Sequence, residues 1–170
     1  MTATLCPPGS FNNATGVSEG CLTCLPGFEC SAAGISYPDT LCRSRFYCPA
    51  GTATPNVSTL CPKGHYCPEG SSEPLSCPRG SFQDSTGMNQ CKSCPEGYSC
   101  PKKATIEPHP CVTGYYCPVN TSATKEFPCS RGTFNNETGA MSSADCTDCP
   151  PGFYCGENGL AEPSGMSELK

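Results

Sequence analysis

Cysteine occupies 18 of the 170 positions, about 11 %, beyond the roughly 8–10 % at which a short chain reads as a disulfide scaffold. Leu, Ile, Val and Phe together number only 21, too few for an ordinary apolar core. The 18 glycines and 19 prolines argue against long helices, because proline lacks a donor and glycine adds backbone entropy. Helical bundles and doubly wound sheets are thereby excluded. A net charge of −5 leaves no electrostatic footprint for nucleic acid or anionic lipid. No apolar run approaches the roughly 20 residues of a membrane span.

In a reducing cytosol such cysteine density means metal ligands or redox chemistry; in an oxidising compartment it means covalent staples. Four N-x-[ST] triplets favour the second. Asn13, Asn56, Asn120 and Asn136 are the acceptor asparagines, so an extracellular or cell-surface glycoprotein is expected. The opening MTATLC has neither a basic n-region nor an apolar h-region, so a processed or excised piece of a secreted protein is expected, with its signal peptide not in this chain.

The cysteines repeat. CPPGSFNNATG (6–16), CPRGSFQDSTG (77–87) and CSRGTFNNETG (129–139) superpose without a gap. Each leads to C-x2-C-x5-C: Cys21, Cys24, Cys30; Cys91, Cys94, Cys100; Cys146, Cys149, Cys155. Between these long units lie short C-x5-C units, Cys42–Cys48, Cys61–Cys67 and Cys111–Cys117. A fixed grammar with a varying unit count is the mark of small modules touching their neighbours. The expected domains are 1–76, a long unit with two short ones; 77–128, a long unit with one short one; and 129–170, a long unit with a tail.

Within a unit, Pro after Cys fixes φ, Gly supplies a positive φ, and an aromatic covers the sulfur. Phe11, Phe82 and Phe134 fill that slot in long units, and Tyr47, Tyr66, Tyr116 and Tyr154 precede a second cysteine. These rings are expected to be the only core, one per staple. Thr15-Gly16, Thr86-Gly87 and Thr138-Gly139 signal a turn inside each long loop, with Asn13, Asp84 and Asn136 at equivalent places near its tip.

The run C-P-x-G-x-[FY] … C-x2-C-P-x-G-[FY], followed by Y-C-P-x-G units, resembles the ephrin-receptor-like cysteine-rich repeat and, more distantly, the repeats of tumour-necrosis-factor receptors. The likeness covers residues 6–165. Such arrays are also similar to the major protein of flagellar hairs, the mastigonemes. The resemblance implies an extracellular spacer or filament role.

Spacing alone leaves the pairing of the cysteines open. In a local scheme each C-x5-C closes on itself and Cys6–Cys21, Cys77–Cys91 and Cys129–Cys146 close the long loops. In a crossed scheme, the one nearest the receptor resemblance, Cys24–Cys42 and Cys30–Cys48 interleave, as do Cys94–Cys111 and Cys100–Cys117. In a ladder scheme Cys48–Cys61, Cys67–Cys77 and Cys117–Cys129 bridge forward, and Cys155 needs a partner beyond the chain or on another one. A long-loop bridge would contribute on the order of 3 kcal/mol by restricting the unfolded chain.

No catalytic, metal or cofactor site is expected. The C-x2-C pairs 21–24, 91–94 and 146–149 lack the four-ligand set of zinc and the helix N-terminus that lowers a redox thiol's pKa. His65 and His109 sit in turns without a repeated catalytic partner. Asp145, Asp148 and Glu137 form no D-x-[DN]-x-[DN]-G loop, and Lys102-Lys103 is too short for a nucleic-acid patch.

The expected fold is therefore a set of small disulfide-rich modules, mostly irregular with short β-hairpins and little helix, arranged as an elongated tandem-repeat rod. The expected function is that of a non-enzymatic subunit or segment of a glycosylated surface filament or coat. Its partners would be other copies or neighbouring repeats and N-linked glycans, with aromatics such as Tyr115 or Phe46 buried between copies. The alternative is a receptor or adhesin ectodomain segment that binds a protein ligand along its side.

Overall fold

One backbone angle recurs along the chain. Three residues after Cys94, Gly97 has φ 79°, a left-handed conformation that costs an L-residue roughly 1–2 kcal/mol. The same place after Cys6, Cys24, Cys61, Cys77, Cys111, Cys129 and Cys149 is glycine with φ from 76° to 88°. After Cys42 it is Arg45, left-handed all the same at φ 80°, and its Nε donates to the Gly87 carbonyl at 2.7 Å. These cysteines, 16 to 20 residues apart, open nine modules of one kind. The long and short units of the sequence are thus variants of a single local fold.

The computed structural model describes residues 5–13, 20–56 and 59–165. The chain forms two compact units, Met1–Ser76 with Ser85–Cys91, and Cys77–Asp84 with Lys92–Lys170. The first holds β1 (Ser10–Phe11) paired with β2 (Leu22–Thr23), the single bridges Phe28↔Leu41 and Phe46↔Leu60, and β3 (His65–Tyr66) paired with β4 (Leu75–Ser76). The second holds four pairs: β5 (Ser81–Phe82) with β6 (Lys92–Ser93), β7 (Tyr98–Ser99) with β8 (His109–Pro110), β9 (Tyr115–Tyr116) with β10 (Phe127–Pro128), and β11 (Thr133–Phe134) with β12 (Thr147–Asp148). A 3-10 turn, Ser143–Asp145, precedes β12.

Every pair is antiparallel and uses one register: the fourth residue after an opening cysteine faces the residue just before the next one, as in Ser10↔Thr23 and Tyr98↔Pro110. The left-handed corner on one side and, on the other, a sixth position whose N–H turns to the next module, as Gln83 does to Thr105 and Cys117 to Ala140, leave two residues free to pair.

Within each unit, backbone bonds tie one module to the next. The Gly97 N–H donates to the Cys117 carbonyl and the Cys111 N–H returns to the Gly97 carbonyl, both at 2.8 Å. Gly27, Cys48 and Cys42 repeat this pattern at 2.9 and 2.8 Å. A second left-handed corner donates to the opening cysteine: Gly139 to Cys111, Asn120 to Cys94 and Ala104 to Cys77, at 2.8–2.9 Å. The backbones come so close that a Cβ on Gly97 would lie 2.6 Å from the Gly139 carbonyl oxygen.

The buried interior is sulfur. Both cysteines of the 24–30, 42–48, 61–67 and 94–100 pairs are fully buried, and few other apolar side chains, among them Phe11, Pro38 and Ala140, join the cysteines there. Phe82, Phe134, Tyr47, Tyr66 and Tyr116 are half-buried, and Tyr154 is 61 % exposed. The expectation of an aromatic core is corrected accordingly. Backbone packed against backbone leaves no room for a ring between modules, so a disulfide, which is small and apolar, takes the inside and the rings line its edge.

Candidate functional site

All eighteen cysteines are oxidised and none is free. Six bridges close within a module: Cys24–Cys30, Cys42–Cys48, Cys61–Cys67, Cys94–Cys100, Cys111–Cys117 and Cys149–Cys155, with Cα–Cα distances of 5.8–6.0 Å. Cys6–Cys21 and Cys129–Cys146 close long loops at 5.7 Å. Cys77 and Cys91 are oxidised as well. The crossed pairs Cys24–Cys42, Cys30–Cys48, Cys94–Cys111 and Cys100–Cys117 do not occur, nor do the forward pairs Cys48–Cys61, Cys67–Cys77 and Cys117–Cys129. The physical reason is the corner at the third residue. It folds the six-residue segment back on itself until its two cysteines fall within the 4.4–6.8 Å that a disulfide spans.

Each C-x2-C pair is split between different bridges. Cys21 joins Cys6 while Cys24 joins Cys30, and Cys146 joins Cys129 while Cys149 joins Cys155. The long bridges arise from one substitution that the sequence reading missed. Six residues after Cys6, Cys77 and Cys129, where other modules carry the second cysteine, stand Asn12, Gln83 and Asn135. The backbone confirms the equivalence: Gly114 N–H donates to the Asn135 carbonyl at 2.7 Å as Gly97 N–H does to Cys117, and Asn135 N–H donates to Leu160 O at 2.9 Å as Cys117 N–H does to Ala140 O. Without a thiol at that place, the opening cysteine reaches instead to Cys21 or Cys146. Aligning C-x2-G-x-F-[NQ] with C-x2-G-x-Y-C is the signal that exposes it.

Gln83 and Asn135 are 1 % and 5 % exposed. Asn135 Oδ1 accepts the Glu137 N–H at 3.0 Å, which orients the amide, and its buried Nδ2 has no partner among the described residues.

The four sequon asparagines, Asn13, Asn56, Asn120 and Asn136, are all exposed. Asn120 also has a backbone role, since it forms a second corner at φ 66°, a conformation asparagine tolerates better than most residues. Ala14, Thr15, Val57 and Ser58, the rest of two sequons, lie outside the described residues, as does the Thr15-Gly16 turn signal. Gly87 and Gly139, the other two turn signals, are second corners with φ 65° and 84°.

Charged side chains serve local structure. Arg43 donates to Glu29 Oε2 at 2.8 Å across a carboxylate that is nearly buried, and that hydrogen bond and charge hold the guanidinium above its ordinary pKa. Lys92 meets Asp84 at 2.6 Å on the surface, so in the middle long loop an ion pair stands at the place equivalent to Asn13 and Asn136. Asp145 Oδ2 accepts the N–H groups of Ser142 and Met141 at 3.0 and 2.7 Å, closing a capping box on the 3-10 turn. These donors hold its carboxyl below the ordinary 3.8.

His65 Nδ1 lies 3.0 Å from the Lys63 carbonyl, and His109 is exposed on β8. Lys102 and Lys103 edge a shallow cavity with Ile106 and His109. No group of three metal-ligating side chains occurs among the described residues, and no helix there is long and apolar enough to cross a membrane. No protein-family model matches the chain, and no curated protein matches it either.

Proposed function

We propose that this chain is a structural repeat segment of an extracellular, N-glycosylated surface filament or coat, of the ephrin-receptor-like kind that its C-P-x-G-x-[FY] grammar resembles. The observation that carries this is the complete oxidation of eighteen thiols, most of them in local bridges, with little else buried among the described residues. Such a fold is best kept where thiols stay oxidised, which supports a location outside the reducing cytosol. Its modules repeat one backbone plan, so they offer the same surface many times over, which suits assembly better than catalysis. Exposed sequon asparagines add a sugar-bearing exterior. Copies would meet through rings left uncovered, Tyr98, Phe153 and Tyr154 at 40 %, 46 % and 61 % exposure. Tyr115 and Phe46 are less suited: both are half-buried, and Lys125 Nζ sits 6.0 Å from the Tyr115 ring centre.

The test is electron microscopy with sedimentation of the secreted protein over a wide concentration range. Concentration-dependent assembly into filaments or sheets is expected. Particles that stay monomeric throughout, and bind a protein ligand, would instead support a receptor or adhesin ectodomain.

A further inference from the structure

Beside the sequon at Asn136 the surface is hollow. A cavity of about 280 Å³ is lined by Asn135, Glu137, Thr138, Met141 and Asp145 among others. Three of these residues, Asn135, Glu137 and Thr138, lie within two positions of the exposed Asn136 in sequence. One wall is Asn135, nine-tenths buried, whose Oδ1 is committed to the Glu137 N–H and whose Nδ2 lacks an acceptor. A buried donor left unpaired is costly, and such groups in native proteins call for an explanation. Asp145 spends Oδ2 on two backbone N–H groups and keeps Oδ1 out of both bonds. The cavity wall therefore holds a buried amide donor without an acceptor, beside the exposed carboxylates of Glu137 and Asp145 and the apolar side chain of Met141.

We infer that this cavity seats the first sugar of a glycan on Asn136, an N-acetylhexosamine. Such a sugar has the complementary groups. Its acetamido carbonyl accepts from Asn135 Nδ2 after a small outward turn of the amide, its hydroxyls donate to Glu137 or Asp145, and its acetamido methyl rests on Met141. The seat rests on the glycoprotein reading proposed above, and it gives the buried asparagine a use that a second cysteine in its place would lack. The equivalent loop at Asp84 has lost the acceptor asparagine and carries an ion pair to Lys92 instead.

The test uses the full chain secreted from a host that attaches N-glycans, trimmed enzymatically to one sugar per site. Glycopeptide mass spectrometry comes first. An unmodified Asn136 would overturn the occupant proposed here, and unmodified sequons throughout would overturn the glycoprotein reading too. With Asn136 modified, nuclear Overhauser contacts between the acetamido methyl and Met141 are expected. The sugar should also raise Tm by about 2–4 °C relative to Thr138→Ala, a shift of the size one neutral hydrogen bond brings in a chain of this length. Asn135→Asp keeps the acceptor for Glu137 but removes the donor, and should abolish that rise. A modified Asn136 whose sugar shows no contact with Met141 would overturn the seat and leave the glycoprotein reading standing. That contact is read on the unmutated chain, so it decides even if Asn135→Asp does not fold.

Discussion

Single residues govern this molecule through their backbone bonds more than through their charge. Asp145 is the clearest titratable case, because two N–H groups converge on one carboxylate oxygen. Its folded pKa lies below the unfolded value, so its contribution is complete above the ordinary 3.8 and is lost as pH falls through the lower folded value. The amide resonances of Met141 and Ser142 should therefore titrate together with a midpoint under 3.8, and Asp145→Asn should remove that transition. A midpoint at or above the ordinary value would contradict the capping role. At this scale the cysteines, the corner glycines and the sequons were legible from residue type alone. The buried amides Gln83 and Asn135 were not, because a polar residue that replaces a half-cystine looks like one more loop asparagine or glutamine until the backbone bonds around it are seen.

The element of this fold is the corner with its two-residue strand pair, and its stability depends on how near the next backbone comes. Gly97 and Gly132 share the left-handed conformation, at φ 79° and 88°. A Cβ at Gly97 meets the Gly139 carbonyl at 2.6 Å, whereas one at Gly132 meets nothing within 4 Å. Gly132→Ala should thus cost only the backbone term, about 1 kcal/mol, and Gly97→Ala about 3 kcal/mol, read from urea midpoints. Equal losses would show that the close approach is absent. Bridges differ in the same graded way. Cys42 and Cys48 are both fully buried, whereas Cys21 is exposed and Cys146 half-buried. A small thiol reductant should open Cys6–Cys21 and Cys129–Cys146 before Cys42–Cys48, as timed alkylation and peptide mass analysis would record, since exchange requires access to a sulfur. Early alkylation of Cys42 would contradict this order. The hairpins were legible in the sequence, but their common register was not. Long and short spacings hid one module behind two patterns, and the rings drew attention from the sulfur that fills the interior.

For the whole molecule the governing fact is that covalent bonds stand where an apolar core would be. Each within-module bridge closes a segment of about seven residues and contributes about 2 kcal/mol by restricting the unfolded chain, and each long one about 3 kcal/mol. Local closure was one of three arrangements compatible with the spacing, and the receptor resemblance pointed to another. What decided between them is the left-handed corner at the third residue of each module, a three-dimensional feature that cysteine spacing does not encode. The most direct measurement is peptide mapping of the unreduced, secreted protein by mass spectrometry. Cys24 should be found bridged to Cys30, Cys42 to Cys48 and Cys129 to Cys146, with no free thiol. Bridges from Cys24 to Cys42 or from Cys48 to Cys61, or a majority of cysteines recovered as free thiols, would contradict it.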